Sequence, residues 1–83
     1  MYKYNELKQD LFTEEAQVAF LKIRDNINKM LEESGSFAMG HALVGGGSTW
    51  HQMACVDRLV ELGELREITG DGVAGQYRVF VKR

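Results

Sequence analysis

"GGGSTWHQMACVDRLVELGEL", residues 45–65, decides how the rest of this chain is read. Three glycines break the chain, Ser48 is a favourable helix N-cap, and Gly63 supplies a C-terminal stop after a run of apolar residues at helical spacing. At about 100° per residue, Gln52, Val56 and Leu59 define the inward direction, with Cys55, Val60 and Leu62 flanking it. Trp50, Ala54, Asp57, Arg58 and Glu61 fall on the opposite side, and His51 borders them.

The glycines also invite a phosphate-binding reading, because a loop of this kind can aim free N–H groups at an anion. That reading needs a lysine directly before the Ser or Thr, and the chain has none between Lys29 and Lys82. A dinucleotide site needs a buried strand ahead of the glycines, and "SFAMGHALV", residues 36–44, does not read as one. The glycines are therefore expected to form a turn between two helices, with Ser36 to Val44 as a short helix capped by Ser36 and weakened by Gly40.

Downstream, "ELREIT" and "QYRVFVKR" flank the glycine-rich "GDGVAG", which predicts a β-hairpin. Tyr77, Val79 and Val81 alternate with polar or exposed positions, and Leu65, Ile68, Tyr77 and Val79 are expected to share one core with Phe20 and Ile27. Upstream, Thr13 caps a helix that Glu14 and Glu15 favour electrostatically and Gly35 ends. Ala16, Phe20, Ile23, Ile27, Met30 and Leu31 make its buried stripe. Before it, Asn5 suits the cap of a short turn whose Leu7, Leu11 and Phe12 pack back on the core. Tyr2 and Tyr4 fit either that turn or an edge strand.

The order helix, short helix, turn, longer helix, hairpin, together with "RLVELGEL" leading into a glycine-containing hairpin, resembles the winged helix-turn-helix superfamily. The resemblance runs from Thr13 to Arg83 and marks no particular member. It implies an α+β fold with a three-helix core and a C-terminal β-hairpin wing, in one domain spanning residues 1–83. Residues 1–12 would be an N-terminal extension, 13–34 the first helix, 36–62 the helix-turn-helix and 64–82 the wing. The triple glycine departs from the single small residue usual at the superfamily's turn.

The resemblance implies DNA as the partner and transcription regulation as the setting. Ser48, Thr49, Trp50, His51 and Arg58 would then meet the groove, and Arg66, Arg78, Lys82 and Arg83 the backbone. Charge points elsewhere. The chain holds 10 Lys and Arg against 12 Asp and Glu, whereas nucleic-acid binders are usually basic. Asp57 and Glu61 would repel phosphates, and Arg58 has either of them within reach as an ordinary surface pair. A protein-interaction module using Trp50 and the acidic helix face is the alternative, since Trp is a frequent interface anchor. A homodimer through the first helix and the N-terminal segment would serve either.

Eighty-three residues leave little room for a deep cleft. His51, Cys55 and Asp57 share one helix but face different ways, so no catalytic constellation forms and no enzyme is expected. His41, His51 and Cys55 are the candidate metal ligands, but Cys55 turns toward the core, and no metal or cofactor is expected. No segment is long and apolar enough for a membrane span, and "MYKYNELKQD" does not read as a signal peptide. Cytoplasm is the default location, which one unpaired cysteine suits.

Overall fold

A computed structural model describes residues 2–39, 49–70 and 77–83, and these form an α+β structure. Helix α1 spans Tyr4–Leu7 and runs directly into a 3-10 turn, Lys8–Phe12. Helix α2 spans Glu14–Ser34, strand β1 Phe37–Ala38 and helix α3 Thr49–Glu61. Strands β2, Leu65–Glu67, and β3, Val79–Lys82, follow.

Both long helices end as their sequences dictate. Thr13 Oγ1 accepts a hydrogen bond from the Ala16 amide at 3.1 Å, satisfying one free donor of the first turn of α2. Gly35 closes that helix at φ +78°, its amide donating to the Leu31 carbonyl at 2.8 Å. The end of α3 is a Schellman motif: the Glu64 amide donates to Leu59 O and the Gly63 amide to Val60 O, with Gly63 at φ +79°. The short α1 begins after Lys3, with no side-chain cap, so the expected role of Asn5 is not realised.

The sheet is antiparallel in the order β1-β3-β2. The hairpin between β2 and β3 was expected; β1 was not. Phe37 and Ala38, expected within a short helix, instead pair with Phe80 and Val79. The Met39 amide extends this ladder to Arg78 O at 3.0 Å. The cause is tertiary: Phe37 stacks on Phe80, ring centroids 6.1 Å apart, and both are fully buried. Burying two phenyl rings outweighs a weak local helix preference. Residues 40–48, which hold the rest of that expected helix, the glycine turn, His41 and Ser48, lie outside the described residues.

The core joins Leu11, Phe20, Ile23, Ile27 and Leu31 to Phe37, Met39, Ala54, Cys55, Val56, Leu59, Leu65 and Phe80. Of the expected α2 stripe, Phe20, Ile23, Ile27 and Leu31 are buried, and Ala16 and Met30 are partly so. Corrections fall elsewhere. Ala54, placed on the outer side of α3, is 1% exposed, because α1 and the 3-10 turn lie along α3 and cover that side. Leu62 and Phe12 are exposed.

Leu65 is buried as expected, but strand β3 is turned over relative to expectation. Directly opposed residues of antiparallel strands share a face, so Phe37, Phe80 and Glu67 lie together on the helix side. Ala38, Val79, Val81 and Arg66 lie on the other side. The Ile68 amide donates to Val79 O at 2.9 Å, which continues the outer row. Ile68 at 52% and Tyr77 at 65% exposure are therefore outside the core. Both alternations in "YRVFVK" contain apolar residues, and the large ring of Phe80 decides between them.

Candidate functional site

The residues that a DNA-binding reading needs are not brought together as free cations. Arg78 precedes β3 on its helix side and is half-buried. Its Nη2 lies 2.7 Å from Asp57 Oδ1 and 2.8 Å from Glu67 Oε1, and its Nε donates to Glu67 Oε2 at 3.0 Å. The planar guanidinium thus clamps α3 to β2, with the Phe80 ring 5.0 Å beneath it. Donating to Glu67 raises the Arg78 pKa, and accepting those same hydrogen bonds holds the Glu67 carboxyl below its ordinary value. Thr69 Oγ1 donates to the same Glu67 carboxylate at 2.6 Å.

Arg58 is engaged in the same way. It pairs with Glu61 three residues on, and its guanidinium lies 5.2 Å from the centre of the Phe12 ring. Glu61 in turn accepts from Lys8 Nζ at 2.9 Å and from the Tyr4 hydroxyl at 3.1 Å. Hydrogen bonds from Lys8 and Arg58 hold the Glu61 carboxyl down at about 2. Tyr4 is pushed up to about 12 by burial and by Glu61. The Tyr2 hydroxyl donates to Asp57, and burial followed by that hydrogen bond raises its pKa as well.

These contacts lay the N-terminal segment across the acidic side of α3. Tyr2 and Tyr4 have the aromatic bulk to pack against the core and a hydroxyl to reach a carboxylate, a combination a helix-and-strand reading does not reveal. Local spacing carries no signal of it, because the two tyrosines meet carboxylates 55 and 57 residues away.

The remaining candidates are scattered. Trp50, in the first turn of α3, is 47% exposed and lines a shallow recess of about 150 Å³ with Leu7, Asp10, His51 and Ala54. Thr49 begins the helix. His51 Nε2 lies 3.7 Å from Cys55 Sγ, whose thiol is pushed up to about 11 by burial. Among the described residues no group of three or more His, Cys, Asp or Glu side chains could hold a metal. Arg66 is exposed on the outer side of β2. Lys82 and Arg83 line a cleft of about 470 Å³ with Arg24, Glu32 and Glu64, where Arg24 Nε approaches Glu64 Oε1 at 2.9 Å. That cleft is mixed in charge. No described helix is long and apolar enough to cross a membrane.

Comparison with protein-family models, with curated proteins and with solved structures finds no match. The functional reading therefore rests on geometry and charge.

Proposed function

We propose that this chain is a protein-interaction module with a winged helix-turn-helix arrangement. Support for the arrangement comes from the succession α2, β1, α3, β2, β3 and the strand order β1-β3-β2. The interaction reading is carried by one observation: Arg58 and Arg78, the two arginines best positioned by sequence to meet DNA, each hold carboxylates of the same molecule. Releasing Arg78 to a phosphate would leave Asp57 and Glu67 without their counter-charge, and releasing Arg58 would leave Glu61 to Lys8 and Tyr4, so a new phosphate contact must first recover what those pairs contribute. Trp50, half-exposed beside Leu7 and His51, supplies an aromatic anchor of the kind protein interfaces favour.

DNA binding is the second reading, favoured by the absence of carboxylates from the first turn of α3. Contact would then run through Ser48, Thr49, Trp50 and His51, with Arg66, Lys82 and Arg83 on the backbone. A photo-crosslinking residue in place of Trp50, in the cells of origin, separates the two. A discrete protein adduct supports the first reading, and a nucleic-acid adduct overturns it. Titration of labelled duplex at low salt is the companion measurement. Binding at protein concentrations of about 100 µM or below, where non-specific DNA binders register, would favour the second.

A further inference from the structure

Trp50, the chain's one tryptophan, forms a wall of the recess of about 150 Å³ that it shares with Leu7, Asp10, His51 and Ala54. That space is below the roughly 300 Å³ at which small-molecule and cofactor pockets begin, and it suits a single side chain. Its lining joins two aliphatic residues, Leu7 and Ala54, to a half-exposed indole and an exposed acidic residue.

The acidic residue decides what can enter. Lys8 of the 3-10 turn and Arg58 of α3 both hold Glu61, and Asp10 has no basic partner among the described residues. An apolar side chain seated here would take water from Asp10 and offer no hydrogen bond in return, which costs free energy. A nucleic-acid base stacked on Trp50 would bring its phosphate toward the same negative charge. A cation is attracted by both walls, to the face of the indole and to the carboxylate.

Arginine meets these two demands better than lysine, because a planar guanidinium can lie on a ring while its edge donates to a carboxylate. The molecule already uses this combination twice. The Arg58 guanidinium lies over Phe12 and pairs with Glu61, and that of Arg78 lies over Phe80 and pairs with Asp57 and Glu67. In the recess the ring and the carboxylate are present and the guanidinium is the missing member.

We propose that the recess between Trp50 and Asp10 receives an arginine side chain of a partner protein, its guanidinium stacked on the indole and paired with the Asp10 carboxylate. This rests on the protein-interaction reading and names the partner's chemistry at the same site.

The full chain is used to select from a displayed library of random peptides lacking tryptophan. The enriched peptide is then made with arginine and with citrulline, its neutral isostere. Emission from Trp50, the only indole present, reads binding at the recess. The expected motif contains arginine, its binding shifts that emission, and citrulline weakens it about tenfold or more, as loss of hydrogen bonds to a charged group would. Asp10 is exposed, so circular dichroism should show Asp10→Asn folded. That variant should largely erase the difference between the two peptides, whereas a merely structural Asp10 would affect both alike. No enrichment, a motif without arginine, an unmoved Trp50 emission, or an arginine preference retained by Asp10→Asn overturns the proposal. So does quenching of Trp50 by oligo-deoxythymidine, which assigns the recess to nucleic acid. If the photo-crosslinking residue in place of Trp50 captures a protein while no arginine motif is selected, the arginine assignment fails alone; a nucleic-acid adduct there removes the interaction reading with it.

Discussion

Arg78 is the side chain on which the most depends. Half-buried between Asp57 and Glu67, it satisfies two carboxylates at once, and its removal leaves both without their counter-charge. Arg78→Ala is expected to destabilise the fold by about 2–4 kcal/mol, at or below the range for breaking a buried pair because some solvent reaches the cluster. Urea denaturation measures this. Arg78→Lys should recover little, since one ammonium cannot bridge the two carboxylates along a planar fork. A loss below about 0.5 kcal/mol would mean that the cluster is solvated like an ordinary surface pair. None of this was legible in the sequence, where Arg78 read as a wing cation: ion pairs across 21 and 11 residues follow from how α3, β2 and β3 are packed, and local spacing carries no trace of them.

At the scale of elements, the N-terminal segment and the helix stops make separate predictions. Glu61 is held down at about 2 from an ordinary 4.5, so the carboxylate favours the folded state above about pH 4.5 and that contribution is lost as pH falls toward 2. Tyr4 is raised from 10 to about 12, so its neutral form favours the folded state below pH 10 and the contribution disappears as pH rises toward 12. The N-terminal segment should therefore loosen at both extremes, and amide exchange of residues 4–12 followed against pH should show it. Tyr4→Phe should remove much of the alkaline arm and leave most of the acid arm, which Lys8 and Arg58 sustain. For the stops, Gly35→Ala and Gly63→Ala should each cost about 1 kcal/mol in thermal denaturation. No neighbouring atom lies within 4 Å of an added Cβ at either position, so the cost comes from the positive φ. Both stops were readable, as were the Thr13 cap and the α2 stripe, because each depends on residues within one or two turns. Strand β1 was not, because two residues become a strand only when β3 arrives to pair with them.

For the whole molecule, the distribution of charge predicts how it meets a polyanion. Four of its ten basic side chains, Lys8, Arg24, Arg58 and Arg78, form ion pairs within the described structure. If duplex DNA does bind, few phosphates are neutralised per monomer, and the affinity should fall only gently with salt. A slope of logarithmic affinity against logarithmic salt steeper than about −4, equivalent to roughly four or more phosphates, would show that the internal pairs open on contact. The two-sided character of the sheet was half-legible at this scale. A hairpin could be read from the glycines between two apolar runs, whereas its orientation turned on a single ring, Phe80, finding Phe37.

Strand β3 lies between β1 and β2, yet the ribosome makes it after both. While the chain emerges, β1 and β2 have helices to lean on but no sheet to join, and the ladder closes only once Val79–Lys82 has left the exit tunnel. A product whose translation stops before Val79 would therefore lack the strand that both neighbours require. It would expose Phe37 without its stacking partner, the kind of apolar surface that quality-control proteases and chaperones recognise.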